Sequence, residues 1–555
     1  MEKYVEIYCK NNNAYKTYLK GVSLREIYND LKLQLPFQVV GARVNRRMED
    51  LNFTVFNPKD IEFIDISDPS GMHMYERTLC IILSKAVDEL FPNAICRIEH
   101  PVSKGYFFRV YDLDHELTAS DVEAIRQRME EIIARKLPIT GKEKQSQEVI
   151  KLFRARKQLD KVALLESINQ SYSEYYELDG YVDFYNGRLL QNTGDVHLFD
   201  LFPMANGMFL RIPKRTNPVV LEDLVEQQKM FKVFEEYVEW NKIMGLSNVG
   251  NFNLMQKEDR WNSVIKIAEA LHEKKIASIA DQIVTSPKKI RFVLISGPSS
   301  SGKTTFSKRL AVQLMVNKMN PINISLDDYF VNRDQTPLDE NGEHDFESLY
   351  ALDLEFFNQQ LNELLDGQKI DCPTYSFETG KRIFRGNKIK LAENDVLIIE
   401  GIHALNPDLT QHISEDTKFK IYVSALTAIS LDNHNLIPSA DTRLLRRIVR
   451  DSRYRNYSAK DTISRWKSVR KGEDKWIFPY QENADVMFNS SLIFEFAVMK
   501  KYAVNILEEV PQNCDEYTEA NRLLKFLSYF ANVFEREVPP TSLLREFFGG
   551  SSFKY

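Results

Sequence analysis

The run Gly297-Pro298-Ser299-Ser300-Ser301-Gly302-Lys303-Thr304 has the glycine spacing, lysine and hydroxyl residue of a loop that cradles phosphate. Glycines let backbone N–H groups face the anion, and a helix beginning at the loop turns its positive end towards it. Gly297, Ser299, Ser300, Ser301, Gly302, Lys303, Thr304 and Thr305 are therefore the expected nucleotide contacts. Lys303 is expected to reach the outer phosphates, and the Thr304 hydroxyl to ligate Mg²⁺. Two acids stand at the ends of apolar runs downstream. Asp327 follows Ile322–Leu326, and Glu400 closes Asp395–Glu400. A carboxylate at the carboxyl end of a parallel strand lies where ligands bind. Asp327 can take the proton of an attacking hydroxyl, and Glu400 can hold Mg²⁺ through water. Arg443, Arg446, Arg447 and Arg450 follow helical spacing and share one face. Guanidinium groups there would stabilise charge on a transferring phosphoryl group, with Arg446 and Arg450 in the catalytic role.

The elements around the loop suit it. Arg291–Ser296 is short and apolar, as a buried parallel strand must be, and Thr305–Asn317 places Phe306, Leu310 and Leu314 at helical spacing. The chain has 555 residues, too many for one core. Its hydrophobic content of 43% and charged content of 27% are those of a globular protein, and its net charge of −6 gives no global pull towards nucleic acid. Five scattered cysteines with no C-x-x-C pair argue against a zinc ribbon or a disulfide framework, and predict a cytoplasmic protein. No apolar stretch approaches a membrane span and no signal-peptide core is seen at the start.

Residues 1–68 alternate strand-like runs with one helix. Val5–Tyr8 and Lys16–Leu19 predict a hairpin, Ser23–Leu33 a helix with Ser23 and Glu26 in a capping box, and Val39–Asn45 and Ile61–Ile66 further strands. Gly41–Leu51 resembles a segment of TGS domains, which implies a β-grasp. Residues 72–215 predict helices at Tyr75–Leu90 and Thr118–Lys136 around Gly105–Leu113. With Asp183–Gly194, this α+β unit resembles the second additional domain of threonyl-tRNA synthetase. In that family the domain hydrolyses mischarged tRNA through two ligand pairs. Here the matching positions are Arg77 with Ile81 and Tyr185 with Leu189, so the resemblance implies the fold without its chemistry. Residues 216–285 form a charged helical connector that includes Leu221–Gln228, residues 286–505 the phosphate-loop domain, and residues 506–555 a helical tail.

Several segments together resemble the uridine kinase and phosphoribulokinase family. They are the phosphate loop, Ser325–Phe330, His344-Asp345-Phe346, Cys372–Phe377, Glu400–Ala404 and Ala440–Leu444. The resemblance implies an α/β P-loop kinase, with a parallel sheet flanked by helices, that uses ATP and Mg²⁺ to phosphorylate the 5′-hydroxyl of a nucleoside. By that likeness Asp327 is the base, Asp345 binds ribose hydroxyls, Tyr375 and Phe377 line the base slot, and Arg446, Arg450 and Arg453 belong to a lid. Arg382 and Arg443 join the substrate contacts. Substrate-reading positions depart from the family at Ser376, near Gly380 and at Arg453–Asn456, and about a dozen residues are inserted around Ser424–Ser439. A sugar phosphate as acceptor, met by Lys381 and Arg382, and an RNA-linked regulatory ATPase are the competing readings. The front half suggests tRNA by resemblance but lacks a basic patch with aromatics. A small-molecule substrate, a homo-oligomer and no membrane partner are expected.

Overall fold

The computed structural model describes residues 3–257, 260–340, 342–376 and 378–555. The chain opens with the hairpin Tyr4–Cys9 and Ala14–Leu19, followed by α1 (Leu24–Leu31). Ser23 and Glu26 form the expected capping box, each side chain bonded to the other residue's backbone N–H. Lys59–Asp65 lies parallel to Tyr4–Cys9 and antiparallel to Val39–Val44, so the first and last strands sit side by side in one five-stranded sheet.

α2 (Pro69–Leu90) begins six residues before the expected start, because Asp68 caps it and Pro69 has no N–H to leave unpaired. α2 and α3 (Ala119–Ala134) cover a four-stranded antiparallel sheet made from residues 95–111 and 200–211. α4 (Ser146–Ala155) and α5 (Leu159–Ser167) follow, beside a second sheet that ends at Tyr181–Asp183.

Leu221–Gln228 departs from expectation. Leu221 closes the strand Asn217–Leu221, residues 222–227 have no helix, and α6 spans Gln228–Ile243. The backbone groups that a helix would use are taken by neighbours. Glu222 N–H donates to Ile212 O at 2.9 Å, Arg211 Nη2 donates to Glu222 O at 2.8 Å, and Val225 N–H donates to Ser103 Oγ at 2.6 Å. α7 (Val249–Lys257) and α8 (Trp261–Val284) complete the connector. Ile276, Ile279 and Ile283 of α8 share a core with Phe306, Leu310 and Leu314. Each such buried side chain contributes roughly 1.5–3 kcal/mol, so α8 is a fixed wall of the last unit.

That unit is a parallel sheet in the order Asn320–Ser325, Asp395–Glu400, Phe292–Ser296, Lys418–Ser424, Val486–Asn489. α9 (Lys303–Val316) leaves the central strand through the phosphate loop, and α10 (Leu354–Leu365) precedes a hairpin at 369–390. α11 (Ser439–Tyr454) carries the arginines, and α12 (Ala459–Trp476) packs against it. α13 (Glu495–Glu508), α14 (Tyr517–Ser528) and α15 (Arg545–Phe548) form the tail, which shares the core with α11 through Phe526, Leu543 and Phe547.

The inserted segment after Ser424 is a small hairpin, Ser430–Asp432 and Asn435–Leu436. It leaves the parallel sheet and enters the second unit. Ile98 N–H donates to Asn433 O at 2.9 Å, Asn433 N–H to Asp160 Oδ2 at 2.8 Å, and Asn186 N–H to Asn435 Oδ1 at 2.8 Å. His434 Nδ1 lies 2.6 Å from Asp183 Oδ2, and Lys161 Nζ lies 3.1 Å from Asp183 Oδ1 and 3.8 Å from Asp432 Oδ1. Lys161, Asp183 and Asp432 are at most 1% exposed.

Candidate active site

Three strand ends converge beside the phosphate loop. Ile295 and Ser325 both stand in register with Glu400, from opposite sides, and Asp327 follows Ser325 by two residues. The site therefore lies at the carboxyl edge of the sheet, where the central strand gives way to its neighbour. Thr304 Oγ1 donates to Glu400 Oε1 at 3.1 Å, and Ser325 Oγ to the same oxygen at 3.3 Å. Lys303 Nζ folds onto the loop and donates to Gly297 O at 2.9 Å and Pro298 O at 3.2 Å. Gly302 has φ +88°, a conformation that costs an L side chain dearly, and Leu543 Cδ2 lies only 2.4 Å from where its Cβ would be.

The electrostatics are those of crowded carboxylates around one lysine. Burial, then the Asp327 charge, push the Glu400 carboxyl up to about 7, with Lys303 opposing. Burial also lifts Glu347 to about 7, with the Arg447 charge pulling the other way and Glu473 and Asp327 adding to the rise. Burial lowers the Lys303 ammonium below its ordinary value against the pull of Glu400 and Asp327. Such an excess of acid is relieved by a divalent cation. Among the described residues no group of three or more His, Cys, Asp or Glu is placed to hold a metal alone. Mg²⁺ keeps several waters and takes one or two protein ligands beside phosphate oxygens. Thr304 and Glu400 fit that part.

The arginines divide by depth. Arg443 is 2% exposed, pairs with Glu473 and donates to Ser299 O at 3.2 Å. Arg446 is 1% exposed, pairs with Glu495, and donates to Ser300 O and Ser301 O at 3.4 Å and to Ser490 O at 2.9 Å. Both therefore brace the underside of the loop, and the expected catalytic role of Arg446 and substrate role of Arg443 do not match those positions. Burial decides this, because a guanidinium enclosed with a carboxylate has its charge already met. Arg447 donates to Ser299 Oγ at 2.8 Å, and Arg450 pairs with Asp451 at 3.1 Å. Both stand nearer the rim. The charges of Arg450 and Arg447, together with burial, hold Arg455 down at about 10. These crowded cations would be eased by phosphate. Arg453 lies over the Tyr454 ring and against Gly549.

Arg446→Ala is expected to cost about 3–5 kcal/mol of stability, because it leaves Glu495 buried and unpaired. Arg446→Met/Glu495→Leu is expected to recover most of that loss in chemical denaturation. A catalytic guanidinium would instead show as lost turnover in a double variant of normal stability.

On the acceptor side, Tyr375 is 9% exposed and donates its N–H to Asp328 Oδ1 at 3.0 Å. Phe377 lies outside the described residues. Arg382 is committed to its hairpin base, donating to Asp353 Oδ2 at 2.9 Å and Phe330 O at 3.2 Å and stacking on Phe356. It does not stand free to meet a substrate phosphate. Asp345 accepts from Glu347 N–H at 3.2 Å and so caps its own turn. Glu347, two positions on, is the acid whose carboxyl feels Lys303, Asp327, Arg447 and Glu473 together. Asp345 and Glu347 thus come from one short segment beside the site. Glu473 and Ser325 were missed, since nothing in their local spacing marks them.

In the second unit, Ile81 and Leu189 are core residues at 0% and 2% exposure, and Tyr185 stacks on His434 with ring centroids 6.4 Å apart. Arg77 Nη1 donates to Arg188 O at 3.1 Å, and its guanidinium fills the space beside Gly187. These side chains pack where ligands would have to stand.

Residues 292–493 match the model of the Phosphoribulokinase / Uridine kinase family. A uridine kinase of Ureaplasma parvum serovar 3 is 28% identical over 195 residues, covering 35% of this chain and 85% of that protein. The front half is similar to threonine–tRNA ligases. That of Syntrophotalea carbinolica is 31% identical over 169 residues, covering 30% of this chain and 26% of the ligase. The chain thus spans about a quarter of that relative's length. A solved structure of a possible uridine kinase from Bacillus stearothermophilus aligns with 39% of this chain and 98% of its own, at 22% identity and a TM-score of 0.27. Among the described residues no helix is long and apolar enough to cross a membrane.

Proposed function

We propose, starting from a kinase-family domain at residues 292–493, that this protein transfers a phosphoryl group from ATP to the 5′-hydroxyl of a nucleoside. The observation that carries the reading is the meeting of Asp327, Glu400 and Lys303 at one sheet edge, with the phosphate loop beside them. Asp327 accepts the acceptor hydroxyl's proton as its oxygen attacks phosphorus. Lys303 turns from the loop carbonyls to the outer phosphates, and the loop amides hold the rest. Arg447 and Arg450 meet the phosphates from the rim. Bound Mg²⁺, held by Thr304 and through water by Glu400, would neutralise charge on the phosphate oxygens. Asp345, with Glu347 two positions on, would hold acceptor hydroxyls, and Tyr375 would supply an aromatic edge to the acceptor slot.

The test is a panel of nucleosides and phosphosugars with ATP, run beside Lys303→Ala. Product from a nucleoside that disappears in the variant supports the reading. Product from a phosphosugar alone removes the nucleoside, and none from any member, with ATP still bound, removes it too and points to an acceptor outside the panel or a regulatory ATPase.

A pH dependence follows from Glu400 and Glu347. Their carboxyls are raised from about 4.5 to about 7, so the folded state keeps protons that the unfolded chain loses. Their contribution to stability is present below about 4.5 and is lost as pH rises through about 7. Metal–nucleotide binding must displace the Glu400 proton, so affinity is expected to rise between pH 6 and 8 and to flatten in Glu400→Gln. Calorimetry in buffers of different ionisation enthalpy reads the released proton directly.

A further inference from the structure

The phosphate loop is already engaged by the chain's own acids. Phe306 N–H donates to Gly302 O at 3.0 Å and begins the α9 ladder, so Thr305 carries the last amide of the loop that the ladder leaves for a ligand. Thr305 N–H is not vacant. It donates to Glu546 Oε2 at 3.2 Å, and the Thr305 hydroxyl donates to the same oxygen at 2.6 Å. Tyr555 OH lies 2.9 Å from Thr305 Oγ1, and Leu543 sits against Gly302. At the other end of the loop, Ser299 N–H donates to Glu473 Oε1 at 3.1 Å. The two acids differ in one respect. Glu473 is neutralised by Arg443 and Arg470, whereas Glu546 has no lysine or arginine at salt-bridge distance among the described residues. Its charge is met by the start of α9, the place where phosphate charge belongs.

We propose that residues 541–555 are an intramolecular competitor of the nucleotide, with the Glu546 carboxylate standing in for a phosphate on Thr305 and Leu543 and Tyr555 closing over the loop. Nucleotide then binds only as this strap lifts. Four of its side chains, Leu543, Leu544, Phe547 and Phe548, are at most 2% exposed, so the closed position is a packed state rather than a loose end. The same carboxylate beside a bound polyphosphate would repel it at close range. The inference rests on the phosphoryl-transfer reading of the loop and adds its regulation.

The experiment is ADP binding, with magnesium, by the full chain and by Glu546→Gln, which keeps size and removes charge. The strap predicts about tenfold tighter binding in the variant, the scale of one charge-assisted hydrogen bond. Equal or weaker binding by a folded variant overturns it. Hydrogen exchange on the unaltered protein gives an independent reading. Amides of residues 545–549, bonded to carbonyls of residues 542–545 in the closed form, are expected to lose protection when ADP is added. Unchanged protection overturns the strap even if Glu546→Gln misfolds. ADP binding and product formation with no difference in either readout removes the strap alone, whereas no nucleotide binding by any form removes the kinase reading with it.

Discussion

Asp327→Asn is expected to lower kcat by about 10²–10⁴-fold, the usual contribution of a positioned base. Asparagine keeps the shape and one acceptor oxygen but cannot take the proton. Nucleotide affinity should survive, because the loop amides, Lys303 and Thr304 are untouched. A second effect distinguishes a carboxylate at this position from a remote one. Asp327 is the strongest charge raising Glu400. With it neutral, Glu400 should ionise at lower pH, and the rise of metal–nucleotide affinity with pH should move in the same direction. Turnover within tenfold of the parent would exclude Asp327 as the base. An unmoved binding profile would mean that the two carboxylates do not feel each other.

Lys161→Met is the substitution with the largest expected cost to folding. The lysine is enclosed by Asp160, Asp183 and Asp432, and its removal takes away the cation that these three acids share. Breaking a buried pair costs about 3–5 kcal/mol, and here one cation serves several acids. The surrounding acids hold the Lys161 ammonium well above its ordinary range despite burial. Burial would raise Asp183, but His434 and Lys161 outweigh it and hold that carboxyl at about 2. The lysine's contribution is present below its unfolded value and lost only at strongly alkaline pH. The Asp183 contribution is present above its unfolded value and lost as pH falls towards 2. Both are therefore in force at neutrality. The variant should unfold at lower urea and be cut by protease between the second unit and the phosphate-loop unit. Adding Asp183→Asn should restore part of the loss. Unchanged urea and protease profiles for Lys161→Met would show that the hairpin contributes nothing to holding the units together.

The contrast between what the sequence disclosed and what it hid follows from distance along the chain. The phosphate loop, the Ser23–Glu26 box and the acids at strand ends are local patterns, in which each residue's partner lies within a few positions. The arginines of α11 were local only by half. Their spacing fixed a shared face but not what that face meets, and Arg443 and Arg446 turned inward because Glu473 and Glu495 come from later helices. Leu221–Gln228 has the composition of a helix, yet Arg211 and Ser103 bind its backbone, a contest decided by tertiary contacts. The insertion after Ser424 was visible as extra length. Its socket was not, since His434 meets Asp183 across 251 positions.

That socket has a consequence for how the molecule is made. A ribosome delivers Asp160, Lys161 and Asp183 long before Asp432 and His434, so the receiving side can be folded when the hairpin emerges. Ser439 follows within a few residues, and the arginine helix that braces the loop therefore starts from an anchored end. Severed from residues 1–285, the phosphate-loop unit would carry Asp432 and His434 stripped of their partners at the foot of that helix. The front of this chain would then serve as the jig on which the nucleotide site is assembled.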